Sequence, residues 1–107
     1  MTLYIVSCAD YDSYGILGIY TTLEQAELIY EEASVRARAN HVAFEAHKAA
    51  RKVGEDTSQI EIPYAPSYNA PWILLEELEA DLPLRERFSP DPQVTRKRYD
   101  ASLGRET

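Results

Sequence analysis

The sequence has little of what small proteins use to build a catalytic centre. Its one cysteine, Cys8, rules out an internal disulfide framework and fits a reducing compartment. Four glycines leave little room for a phosphate-cradling loop, and neither a Gly-x-Ser-x-Gly elbow nor a dinucleotide fingerprint occurs. No run approaches the roughly 20 apolar residues that span a bilayer. The opening Met1-Thr2-Leu3-Tyr4-Ile5 lacks the basic stretch and apolar run of a signal peptide, so the expected location is the cytoplasm, with no membrane partner.

Metal and nucleophile chemistry are equally thin. His41 and His47 are six apart, about 600° around a helix, whereas an HExxH pair needs i, i+4. Asp10, Asp12 and Gly15 match the front of a calcium loop, but Tyr14 and Thr21 stand where further ligands belong. Cys8 has no cationic neighbour in sequence and reads as a small buried residue. The acidic run Glu76, Glu77, Glu79, Asp81 reads as a solvated helix face. The expectation is a protein without catalytic residues, metal or cofactor.

What is present is one domain's worth of chain: 107 residues, 45% apolar and 27% charged. The net charge of −7 is unevenly spread. Residues 1–83 carry five basic and fourteen acidic side chains, and residues 84–107 carry six basic and four acidic. The body therefore repels nucleic acid on average, and only Arg96-Lys97-Arg98 suits a phosphate.

The pattern predicts an α+β fold. Thr2 to Ala9 is rich in β-branched and aromatic residues and reads as a strand. Asp10 to Gly15 is a turn, and Ile16 to Tyr20 returns as the second strand of an antiparallel hairpin. Thr21 with Glu24, or Thr22 with Gln25, caps a helix from Leu23 to about Val53, where Gly54 supplies the stop. Gln59 to Ile62 reads as a short third strand, and Pro63 to Pro71 as an extended, tyrosine-studded connection. Trp72 to Ala80 suits either a second helix or a buried strand; Pro71 and the strong helix formers favour the helix. Prolines 83, 90 and 92 break regularity, which divides the chain into a domain over 1–88 and an irregular tail over 89–107, mobile unless a partner orders it.

A helix of about 31 residues is roughly 45 Å long, more than so small a globule covers. Either it breaks near Arg38-Ala39-Asn40, or its far half packs on another chain. Ala26, Ile29, Tyr30, Ala33 and Ala37 form a stripe suited to the hairpin. A second seam, Val35, Ala39, Val42, Ala46, Ala49 and Val53, has the 4-3 spacing of a coiled coil. It is expected to be an oligomer interface, unless a later segment of the same chain covers it.

Tyrosine is the unusual residue: eight, against two phenylalanines and one tryptophan. Several can roof a thin core, but Tyr11, Tyr14, Tyr64 and Tyr68 fall in turns, where burial is harder. They are the candidate contact residues. Asn69, Arg96 and Arg98 join them as candidate binding groups.

The opening Tyr4-Ile5-Val6 strand, Asp10 to Tyr14 turn, Gly18-Ile19-Tyr20 strand, Thr22 cap and Glu24-Gln25-Ala26-Glu27 helix start resemble a broad set of small phage and prophage proteins. The resemblance spans roughly residues 3–30. It implies a ββα fold and a setting of host takeover or anti-defence in the host cytoplasm. The leading expectation is an inhibitor or adaptor that binds a host protein, its carboxylates competing for a basic channel. The alternative is a protein that sequesters a nucleotide-like small molecule, with tyrosine faces for the base and arginines for phosphate. A third reading is a structural or assembly protein whose helices only oligomerise.

Overall fold

β-Branched and aromatic residues set the first two elements. In the computed structural model, which describes residues 2–79 and 93–107, strand β1 spans Thr2–Ala9 and strand β2 spans Tyr14–Tyr20. They pair antiparallel, with a register shift between Val6 and Ser7. Val6 faces Gly18 and Ser7 faces Ile16, so Leu17 is the extra residue of a bulge. The turn between the strands is built by Asp10, whose Oδ1 accepts from the Asp12 and Ser13 backbone N–H groups at 2.7 and 2.8 Å. The residues that resemble the front of a calcium loop therefore form a turn closed by its own carboxylate. Among the described residues no three His, Cys, Asp or Glu side chains gather as a metal site.

Helix α1 spans Leu23–Lys52 without a break. Thr22 caps its start, the Thr22 hydroxyl accepting from Gln25 N at 3.4 Å. Gly54, at φ 73°, provides the left-handed residue that ends it. Of the two alternatives for so long a helix, the break at Arg38-Ala39-Asn40 does not occur. Asn40 is fully buried, and its amide bonds the returning chain rather than the helix backbone.

Two expectations for the second half are overturned. Trp72 to Glu79, expected as a helix, is strand β3, and it lies in the middle of the sheet. The tail expected over 89–107 is regular from Gln93 onward: strand β4 spans Gln93–Asp100 and strand β5 spans Arg105–Glu106. The breaks expected at prolines 83, 90 and 92, Ala80 as the end of the helix, and Asp81 of the acidic run lie outside the described residues. The sheet is fully antiparallel, in the order β2-β1-β3-β4-β5. Gln59 to Ile62 joins no strand of this sheet. Pro63 to Pro71 carries one short 3-10 turn, Pro66–Asn69, instead of being extended throughout.

Among the described residues the main hydrophobic cluster lies between the sheet and α1. Val6 and Cys8 from β1 and Ile73 and Leu75 from β3 meet Ala26, Tyr30, Ala33 and Ala37 from the helix, with Ala101 at one end. The alanines bring the helix close to the sheet, and each fully buried Ile or Leu contributes about 2 kcal/mol. The C-terminal strands are tied to the helix by side chains. Tyr30 OH donates to Glu106 Oε1 at 3.2 Å, Lys97 lies 3.8 Å from Glu27, and Arg38 Nη1 donates to the Ala101 carbonyl at 2.8 Å. Burial, reinforced by the Glu106 carboxylate, pushes the Tyr30 hydroxyl far above its ordinary pKa, which keeps it protonated as a donor.

Candidate functional site

The helix outruns the sheet, and the chain that follows it turns back along the helix. Residues 57–69 form this return segment. His47 Nε2 donates to the Ile60 carbonyl at 2.9 Å. Asn40 holds the next stretch from both ends of its amide. Its Nδ2 donates to Asn69 Oδ1 at 2.9 Å and to the Tyr64 and Ala65 carbonyls at 3.3 Å, while its Oδ1 accepts from Tyr64 N at 3.0 Å. A buried amide with all these partners fixes the backbone that carries Tyr64 and Tyr68.

Those two rings meet edge to face at 6.2 Å, and the Arg36 guanidinium sits over both. Its central carbon lies 5.4 Å from the Tyr64 ring centre and 5.5 Å from that of Tyr68, within the range of a cation–π contact. Arg36 Nη1 also donates to Tyr68 OH at 3.2 Å, and Glu32, one turn earlier, pairs with the same guanidinium. The Tyr68 hydroxyl bond, aided by Glu32, raises the already high pKa of Arg36, so the group is a permanent cation. Beside this cluster, Leu17, Tyr20, Ile29 and Ala33 line a hollow of about 200 Å³ that Glu32, Arg36 and Tyr68 close. The bulge in β2 frees Leu17 from the ladder, and Gly18 gives the Tyr20 ring room: a Cβ there would collide with the ring and its hydroxyl.

No family model matches this chain. No curated protein and no solved structure matches it either. The site must therefore be read from its own chemistry.

Of the seven candidate binding residues, the structure brings Tyr64, Tyr68 and Asn69 together. The other four lie elsewhere. Tyr11 packs edge-on against Trp72 at 4.9 Å, and Tyr14 OH donates to Glu76 Oε1 at 3.3 Å. Arg96 pairs with Glu77 at 2.8 Å, and Arg98 Nε donates to Thr107 Oγ1 at 2.9 Å. Arg96 and Arg98 line a separate hollow of about 440 Å³ with Leu74, Thr95, Lys97, Glu106 and Thr107. Sequence reasoning missed Arg36, Glu32 and Asn40. The available signal was Asn40, a polar residue that continues the apolar stripe of Ala33 and Ala37 and so had to be buried with partners.

The acidic run read as a helix face is instead part of the sheet's pairing. Glu76 is 9% exposed and accepts from Ser7 Oγ and Tyr14 OH. Glu77 holds Arg96, and Glu79 accepts from Thr2 Oγ1. Cys8 is buried with its Sγ 3.5 Å from the Gly15 carbonyl. Burial raises the thiol's pKa, which favours the protonated, unreactive form. Among the described residues no helix is long and apolar enough to cross a membrane.

Proposed function

We propose that this chain is a non-enzymatic binding protein that docks on a partner protein through the Tyr64–Arg36–Tyr68 cluster. The observation that carries this reading is a cation held over two tyrosine rings, on backbone fixed by a buried asparagine. Tyrosine and arginine dominate the energetic centres of protein interfaces, and groups already ordered in the free protein lose less entropy on docking. The adjoining hollow, at about 200 Å³, is below the roughly 300–1,000 Å³ of small-molecule pockets and suits one side chain of a partner. In the phage setting that the resemblance implies, the partner is a host protein, and the acidic body supports a role as inhibitor or adaptor.

Capture from a bacterial lysate by the immobilised chain tests this. A host protein is expected to be retained by the parent chain and lost by the Tyr64→Ala/Tyr68→Ala variant. Losing about 2 kcal/mol at such a centre weakens binding roughly 30-fold. Retention of the same proteins by both chains would remove the cluster from the interface.

The nucleotide-sequestering alternative has less support. Its aromatic faces and its phosphate-binding arginines line different hollows, and Arg96 and Arg98 already have partners in Glu77 and Thr107. A thermal-shift screen with nucleotides separates the two readings, since a ligand at 100 times its Kd adds about 2.7 kcal/mol.

A further inference from the structure

We infer that α1 pairs with α1 of a second copy, and that the two helices run antiparallel. This goes beyond the partner-binding reading and uses another face of the helix. The buried stripe of Ala26, Tyr30, Ala33 and Ala37 faces the sheet. At about 100° per residue, the seam through Val35, Ala39, Val42 and Val53 lies on the opposite side. The return segment leaves it open too, because it packs where Asn40, His47 and Ala50 lie. Val35 is 66% exposed, Val42 51% and Val53 70%, and Leu28, 65% exposed, extends the same line by one heptad. The seam is then a strip of roughly 38 Å, presented by a molecule 58 Å long and only 26 × 21 Å across.

Size and charge select the partner and its direction. In heptad terms Ala39, Ala46 and Val53 take position a, and Leu28, Val35, Val42 and Ala49 take position d. Antiparallel pairing centred between Asn40 and His41 places Val35 of one copy on Ala46 of the other, and Ala39 on Val42. Every central layer then joins a valine to an alanine, so the layers interlock and the helices approach closely. The same register sets Glu32, paired with Arg36, on Ala49 in the next layer and Leu28 on Val53 at the ends. Along one flank it sets Glu31 opposite Lys52 and Arg38 opposite Glu45, each pair occurring twice by the two-fold axis. Arg38 is already ordered beside the seam by its bonds to the Ala101 and Ser102 carbonyls. A parallel, in-register pair does worse. It stacks valine on valine and alanine on alanine, puts Glu32 against Glu32 at position a, and aligns the two helix dipoles.

The interface is small. A strip of about 38 by 10 Å covers roughly half of the footprint of a standard complex, so the dimer is expected to dissociate on dilution. Both Arg36 residues fall on the opposite flank from the ion pairs, offset by about 14 Å along the axis. The dimer therefore presents two Tyr64–Arg36–Tyr68 clusters side by side.

Sedimentation equilibrium over a wide concentration range tests the pairing. The parent chain is expected to pass from monomer to dimer mass as concentration rises. Val42→Glu puts a carboxylate in each of two adjoining central layers and should weaken association on the order of 100-fold, with the far-UV circular dichroism of the parent. Direction is tested by charge: Glu31→Lys should weaken the dimer about fivefold, and adding Lys52→Glu should restore it, because those two residues face each other only in the antiparallel register. A parent chain that stays monomeric at high micromolar concentration would overturn the inference. So would a dimer indifferent to Val42→Glu, or a Glu31→Lys defect that Lys52→Glu leaves unrepaired. If Val42→Glu fails to fold, the charge swap decides alone. Loss of partner capture with the dimer intact would count against the Tyr64–Arg36–Tyr68 reading and leave this one standing.

Discussion

Single side chains hold the parts of this protein that regular structure does not reach. Asn40 bonds three residues of the return segment, Tyr64, Ala65 and Asn69, and is fully buried. Asn40→Ala would leave the Tyr64 N–H without its partner and is expected to cost about 2–3 kcal/mol, measured by urea denaturation. The same variant should free residues 57–69 while leaving the sheet intact, which amide exchange along the segment would show. Asp10 acts alike in the hairpin turn. The Asp12 and Ser13 backbone N–H groups hold its carboxyl below the usual range. A depressed folded-state pKa means that its stabilisation is complete above the unfolded value and is lost as pH falls through the folded one. A carboxyl titration of Asp10 by NMR should find it below the reference of about 3.9. The turn was legible because Asp, Ser and Gly act locally. The Arg36 cluster was not: its tyrosines lie about thirty residues along the chain from their cation, and only the return path joins them.

Elements were legible where local chemistry and tertiary demand agreed. β1, β2, the Thr22 cap and the Gly54 stop follow from β-branched and aromatic content, capping and positive φ. Gly54→Ala should cost about 1 kcal/mol in a thermal melt, and the cost is backbone strain alone, since nothing lies within 4 Å of the added Cβ. β3 was misread for a physical reason. Leu74, Leu75, Glu76, Glu77, Leu78 and Glu79 are good helix formers, but β1 and β4 offer ladders on both sides, and that pairing overrides propensity. The glutamates tolerate the strand because Ser7, Tyr14, Arg96 and Thr2 meet them there. Leu75 is fully buried, so Leu75→Ala should cost about 2–5 kcal/mol by chemical denaturation. Neighbouring Leu74, on the opposite face and only partly buried, should lose clearly less on the same change. A helix over this stretch would not separate the two residues by face in this way.

At the scale of the whole molecule, the C-terminal residues decide whether the sheet has a centre. β4 is polar, with the sequence QVTRKRYD, and carries no local signal of a strand. Its place is set by β3, to which it pairs from Trp72↔Asp100 to Leu78↔Gln93. Without it β3 becomes an edge, with a row of unpaired backbone groups. The helix loses anchors at the same time: the Glu106 acceptor for Tyr30, the Lys97 partner of Glu27, and the Ala101 carbonyl that holds Arg38. Ala101 itself is 1% exposed and closes one end of the core. A chain cut after residue 92 therefore loses a ladder, a core residue and three ties to α1 in one step. Since whole domains are stable by only about 5–15 kcal/mol, the shortened chain is expected to lose its cooperative thermal transition and to aggregate. A truly mobile tail would give the opposite result, a melting curve unchanged by the cut. Circular dichroism melts of the two chains, run side by side, distinguish these outcomes.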